Sequence, residues 1–491
     1  MDSKPHIQWP TWATLALCWA ILPAIPVLVR GGFIGHGYTD LYPSVWGMWL
    51  FADAQPGFPL HTTLLASPTG MDFYSASPLH GWLAWPLLPV FGIEWTWNGL
   101  LLGNRVAGVA IAFWCARGWG LDHQGSLVAA AVYGCSPFFH GYGVEGIAEG
   151  QIGWALPLWL GWVGRGRHRL AGLAFALTVL GSWYMAASAC ILAALMPKRT
   201  WPSVATGLVL ASPAIYAFLG AFPDREVLDP DVRRAMGSQI GLWTPGIVDG
   251  LNPFAKTSWV GITVMCLVVY QTRRSPRLML AAVGIWFLSM GHSLTGEIPL
   301  LGSLRFPYRL HAATLVILGF LAGKAAMRLG KGTALAYLIA AEGLLLSPVE
   351  VILPGAESSQ PGVYQDLQGE TLLDIPGPIA MAPGLRNPSR PRARYFLYGQ
   401  LAHGMGTPWA PDFNSIGVVA EEAPSLSAVR QYDPHWPVKS EPSLDLERTI
   451  DFVVIHPDEL GSQTQALRAA LTEDGWSLDF SDEGGRERYR R

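Results

Sequence analysis

Residues 170–196 read LAGLAFALTVLGSWYMAASACILAALM, an uncharged apolar stretch notched at Gly181-Ser182-Trp183-Tyr184. Basic residues flank it on both sides: Arg165, Arg167 and Arg169 before it, Lys198 and Arg199 after it. Lys and Arg collect in the short cytoplasmic loops of membrane proteins. Both flanks belong on one side, so the stretch is expected to cross the bilayer twice, hinged at the notch, because a single crossing would leave Lys198 outside.

Further apolar segments recur at about 11–29, 97–116, 124–140, 151–164, 202–219, 258–271, 278–291, 309–326 and 333–350. Several fall short of the roughly 20 residues a straight span needs and call for tilt or local thinning. The remaining basic loops, Arg273/Arg274/Arg277 and Lys324/Arg328/Lys331, fit the same inside face. The expectation is a polytopic α-helical membrane protein of about eleven transmembrane helices, N-terminus inside. Thr11–Val29, followed by Arg30 without a small-residue cleavage site, reads as an uncleaved signal anchor. Pro78–Phe91 is apolar but short and carries three prolines, so it reads as a juxtamembrane or re-entrant segment.

Composition agrees. Of 491 residues 51% are hydrophobic and 14% charged, against roughly a quarter charged in soluble chains. The net charge of -3 and the lack of basic clusters exclude nucleic acid as a partner. The five cysteines (18, 115, 135, 190, 266) lie within apolar stretches with no CxxC pair, and read as small buried hydrophobes.

From Pro354 the chain turns rich in Pro, Gly, Ser and charge. Strand-like runs at Thr371–Ile375, Arg394–Tyr398 and Thr449–Ile455, a helical pattern over Asp458–Leu471 and a closing strand over Trp476–Phe480 predict a small α/β soluble domain. The organisation is thus 1–353, a transmembrane domain with a long first outside loop over 30–77, and 354–491, an outward-facing soluble domain, all in the cytoplasmic (inner) membrane.

Polar complexity is expected on the outer face. The first loop contains Asp40, Asp53 and Asp72 and no Lys or Arg between Gly31 and Ser77. Such carboxylates serve as general bases or hold a divalent metal, with Asp40 and Asp53 the metal candidates. The competing reading is helix capping, since Asp40 precedes Leu41-Tyr42-Pro43. The stretch from Phe139 to Gln151 supplies His140, Glu145 and Glu149, either for ligation or hydrogen bonding to substrate, or as a polar turn. Glu297–His311 carries Arg305, Arg309 and His311 at an outer boundary, where arginine offers paired donors to a lipid phosphate or snorkels to headgroups.

An early Asp in a long first outside loop, the stretch Arg305-Phe306-Pro307-Tyr308-Arg309 and many spans before an outward soluble domain resemble the GT-C superfamily of polytopic glycosyltransferases. The tail stretches Leu372–Pro376, Tyr398–Gly404 and Asp451–His456 are similar to stretches of uncharacterised bacterial members. The resemblance covers nearly the whole chain. It implies transfer of a sugar from a polyprenyl-phosphate-linked donor to an unidentified acceptor on the outer face. Asp40 would be the general base, Arg305 and Arg309 would stabilise the leaving phosphate, and His403 joins the substrate-binding candidates. Many members use a paired acidic signature or a divalent metal, and here Leu41 and Tyr42 follow Asp40 where a second carboxylate would stand. A transporter or lipid-handling protein without transfer chemistry is the alternative from another class.

Overall fold

The structure, a computed structural model, describes residues 10–37, 40–54, 61–67, 70, 77–220, 257–290, 307–377, 395–409, 429, 431–432, 444, 446 and 449–491. Arg305 and Asp72 lie outside the described residues, as do most of the loops expected after Gly220 and His292.

The chain opens with α1 (Thr11–Ile21) and α2 (Ile25–Arg30), joined by a 3-10 turn at Leu22-Pro23-Ala24. Pro23 has no N–H to give to the Trp19 carbonyl, so the helix tightens there. A two-residue strand β1 (Phe33–Ile34) and α3 (Leu41–Trp49) follow in the first loop. Next come α4 (Pro78–Ala84) and α5 (Leu88–Gly118), which is interrupted at Gly92 (φ 70°, ψ 175°). Residues 78–91 are therefore a short helix and a broken turn. Trp85 and Phe91 there, and Trp95 just beyond, project into the surroundings, as aromatic side chains do at a membrane interface.

Seven helices follow: α6 (His123–Gly134), α7 (Pro137–Glu145), α8 (Ala148–Gln151), α9 (Ala155–Gly164), α10 (His168–Gly181), α11 (Trp183–Leu195) and α12 (Pro197–Leu210). Their starts are legible in the sequence. Asp122 accepts from Gly125 N at 2.8 Å to cap α6, Ser136 caps α7 ahead of Pro137, and Pro197 opens α12. The expected hinge is present at Ser182, whose backbone turns extended (φ -166°, ψ 125°) between α10 and α11 and whose hydroxyl caps α11. Beyond α13 (Ser212–Gly220) come α14 (Ile262–Thr272), α15 (Pro276–Leu288), α16 (His311–Leu329) and α17 (Gly332–Leu345).

Helix α6 is central, packed by α5, α16 and α17. Small residues permit this. A Cβ on Gly323 of α16 would meet the Gly125 carbonyl oxygen of α6 at 2.6 Å, so the two backbones approach as closely as small-residue interfaces allow in lipid. The outer surfaces present Val29, Val209, Leu280 and Leu345 openly, as helices facing acyl chains do. By length and composition three described helical stretches could cross a membrane: Thr11–Arg30, Leu88–Gly118 and Pro307–Leu329. Five shorter apolar helices accompany them, so the expected eleven crossings are not established. Cys115 and Cys135 are buried, whereas Cys18, Cys190 and Cys266 are exposed on apolar helices and depart from the expected burial; none is paired.

After α17, β2 (Gly355–Ala356) pairs antiparallel with β1, tying the first loop to the start of the tail. The tail carries β3 (Leu372–Ile375), α18 (Tyr395–His403), β4 (Phe452–Ile455), α19 (Pro457–Leu460), α20 (Thr464–Glu473), β5 (Ser477–Ser481) and β6 (Glu487–Arg490). The sheet order is β3-β4-β6-β5, with β3 parallel to β4 and the other pairs antiparallel. Two expectations are corrected. Arg394–Tyr398 is not a strand: its described part begins α18, because Leu397, Tyr398 and Leu401 recur at helical spacing and pack on α3. The closing strand is β6, while β5 lies at the exposed edge.

Candidate functional site

Asp40 stands at the N-cap position just before α3, with Pro43 in the opening turn, as its sequence predicts. Its side chain makes no capping hydrogen bond. The carboxylate acts electrostatically on Tyr308 and Arg309. Arg309 lies in the 3-10 turn Pro307–Leu310 that leads into α16, and only 3% of its surface is exposed.

The Arg309 guanidinium is ion-paired with Glu149 and lies within electrostatic reach of Glu145. Aromatic rings surround it: Tyr184 at 4.6 Å, Tyr142 at 5.8 Å and Tyr308 at 5.8 Å from its central carbon. Planar, weakly hydrated guanidinium suits such ring faces. Three carboxylates, from the first loop, from α7 and from α8, thus converge on one cation. The site is acidic overall.

Neighbouring elements hold Asp40 in place. From α5, Glu94 accepts from Gly32 N at 3.0 Å. Asn98 accepts from Ile34 N at 2.8 Å and donates to the Gly32 carbonyl at 2.9 Å, and Trp97 Nε1 donates to the Ile34 carbonyl at 3.0 Å. His36 N donates to the Val144 carbonyl at 2.9 Å, and Ala148 N donates to Ser44 Oγ at 3.2 Å. Gly146 ends α7 in the left-handed conformation (φ 67°), and a Cβ there would lie 2.7 Å from Leu41 Cβ. Only glycine allows the α7–α8 turn to sit against the residue that follows Asp40. From the tail, Gln400 Oε1 accepts from Trp46 Nε1 at 2.8 Å and Tyr398 stacks on Tyr42 with centroids 5.2 Å apart.

Of the residues expected from sequence, Asp40, Glu145, Glu149 and Arg309 come together here. His311 follows closely on α16, buried, with its ring edge-on to Phe138 at 5.4 Å. His140 turns away: Nδ1 accepts from Arg105 Nη2 at 3.0 Å while Nε2 donates to the Glu350 carbonyl at 2.7 Å. His403 belongs to the tail, where it lies against Tyr364, with centroids 5.6 Å apart. Tyr364 in turn donates to Asp374 at 2.5 Å, and Asp374 pairs with His456 at 3.1 Å. Asp53 is exposed in the turn Leu50–Ala54. The tyrosine cage was not anticipated; its one sequence signal was the Trp183-Tyr184 hinge.

This arrangement is equipped for proton transfer at a carboxylate. The described acids gather around a guanidinium, and no group of three or more His, Cys, Asp or Glu among the described residues has the geometry of a metal cage. The donor set fits an ion-pair network better than a divalent ion.

No protein-family model and no curated protein matches the sequence. Solved structures do match. The arabinofuranosyltransferase AftD from Mycobacteria aligns with a TM-score of 0.59 at 17% identity, over 99% of this chain and 40% of that one. The Archaeoglobus fulgidus oligosaccharyltransferase, solved in complex with Zn and sulfate, gives 0.52 at 12% identity, over 98% and 72%. ArnT from Cupriavidus metallidurans gives 0.50 at 12% identity, over 97% and 96%. The chain therefore spans about 40% of the length of the mycobacterial enzyme and nearly all of ArnT's. At these identities the likeness is one of fold.

Proposed function

We propose that this chain, whose fold is that of the GT-C membrane glycosyltransferases, moves a sugar from a polyprenyl-phosphate-linked donor to an acceptor on the outer face of the membrane. The observation that carries the reading is the Asp40 carboxylate. It stands at the start of a helix, and its charge acts on Arg309 and Tyr308 at the end of a long span. A carboxylate beside a buried arginine and a tyrosine suits general-base work on an acceptor hydroxyl.

In this mechanism the acceptor hydroxyl oxygen attacks the anomeric carbon and its proton passes to Asp40. The carbon–oxygen bond to phosphate breaks, and the electron pair leaves with polyprenyl phosphate, inverting the anomeric centre. Arg309, committed to Glu149, acts as a positioning residue that balances the acidic cluster. Arg305 and His311 are the candidates for the phosphate itself, with Glu145 near the acceptor. His140 and His403 are given no part in transfer.

The same reading places the chain in the inner membrane with eleven crossings, its N-terminus inside and the domain from residue 354 outside, on the face of the first loop. The β1–β2 pairing supports a shared face, because loop and tail meet there.

The test is transfer from a panel of radiolabelled polyprenyl-phosphate pentoses and hexoses in membranes containing the chain. Asp40→Asn is expected to abolish both product and released polyprenyl phosphate, at unchanged membrane abundance. Wild-type rates in that variant would remove Asp40 from the chemistry.

A further inference from the structure

Arg105 is, like Arg309, a buried arginine of the helical region, and its surroundings are the reverse of those of Arg309. It lies halfway along the long helix α5, with 8% of its surface exposed. One nitrogen is accounted for: Nη2 donates to the Trp19 carbonyl at 2.8 Å, the carbonyl that Pro23 leaves without a helical donor, and to His140 Nδ1 at 3.0 Å. His140 Nε2 is occupied by the Glu350 carbonyl at 2.7 Å. That bond makes Nε2 the protonated nitrogen and leaves His140 neutral. Nε and Nη1 of Arg105 have no hydrogen-bond partner among the described residues, and no carboxylate among them pairs with it.

These nitrogens border a cavity bounded by Trp19, Asn104, Tyr133, Phe139, Gln151 and Trp154. At about 20 Å³ it exceeds what a single water needs and leaves room for a small ion. Glycine at positions 108, 134, 143 and 153 opens its walls. A guanidinium does not lose its proton, and a lone charge in a low-dielectric interior carries a large desolvation penalty unless an opposite charge joins it. The described residues around it offer no other source of counter-charge.

We propose that this cavity is a binding site for a small inorganic anion of chloride size, held by Arg105 Nε and Nη1 inside the helix bundle. The aromatic walls and the neutral His140 give the site a single positive charge and exclude a second cation. Its anion fastens α1, α5 and α7 at the point where Pro23 interrupts α1, apart from the acidic cluster around Arg309.

The experiment follows thermal unfolding of the purified full chain in detergent, at constant ionic strength, as gluconate is replaced by chloride or bromide. Arg105 variants risk misfolding, so the informative variant is Gly108→Ala. The new methyl group enters the cavity and meets only Gly134 Cα, at 3.9 Å, while helix propensity improves. For the wild type a saturable rise of about 2 to 5 °C is expected between 1 and 300 mM halide. Gly108→Ala should melt at least as high in gluconate and lose the halide response. In crystals grown with bromide, an anomalous peak should sit beside the Arg105 guanidinium. A wild type indifferent to halide would overturn the site. So would a halide response surviving in Gly108→Ala, which marks a surface salt effect, or stabilisation by anionic phospholipid alone, which marks a headgroup.

Discussion

Arg309 is the residue on which the acidic cluster depends. Removing a partner from a buried pair strands the charge that remains, at a cost of about 3 to 5 kcal/mol, and here Asp40 and Glu145 share the same cation. Arg309→Met is therefore expected to lower stability by about that amount, read as a large fall in the unfolding midpoint, with transfer lost as well. Arg309→Lys keeps the charge but gives up the planar contact with Tyr184 and Tyr142, so most of the stability should return and only part of the activity. A Met variant as stable as wild type would mean that the carboxylates carry protons in place of a partner. In the sequence these residues were visible as an inventory of outer-face charges. Their convergence was not, because Asp40, Glu149 and Arg309 come from three separate segments and no spacing rule links them.

Among the elements, the α7–α8 turn sets the position of the first loop. Gly146→Ala would hold a side chain in the left-handed region, at about 1 to 2 kcal/mol, and would drive its Cβ into Leu41. The expected outcome is a loss of at least about 2 kcal/mol together with protease sensitivity of the first loop, read by limited digestion in intact vesicles. A loop as resistant as wild type would show that the turn does not set Asp40. Helix starts at Asp122, Ser136 and Pro197 were legible because capping chemistry is local. The break at Ser182 was legible from charge parity alone. The register of β1 was not, since a two-residue strand carries no periodicity and its partner lies at the far end of the membrane domain. The α18 segment read as a strand because its aromatic content suits either state, and its packing on α3 decided for the helix.

At the scale of the whole molecule, the tail and the first loop form one assembly, and acid should weaken it from the tail side. Burial lowers the His403 imidazole from 6.5 to about 4, opposed by the Asp374 charge. Its Nδ1 accepts from Met405 N at 3.0 Å, a bond that protonation would break. The unfolded tail takes up this proton first as pH falls, so the stability tied to the neutral ring is complete above about 6.5 and is lost between there and 4. Allowing for the ring's partial exposure, the loss is on the order of 2 kcal/mol. Hydrogen exchange at the Met405 amide should accelerate over that interval, and His403→Gln should flatten the dependence.

Tyr42 in the first loop donates to the Glu357 carbonyl, 315 residues later in the chain. A ribosome adding roughly 5 to 20 residues per second needs about 15 to 60 s to supply that partner. The loop bearing Asp40 is thus made long before the segment that fixes it exists, and the arrangement around Asp40 is completed only when synthesis of the chain is well past the membrane domain.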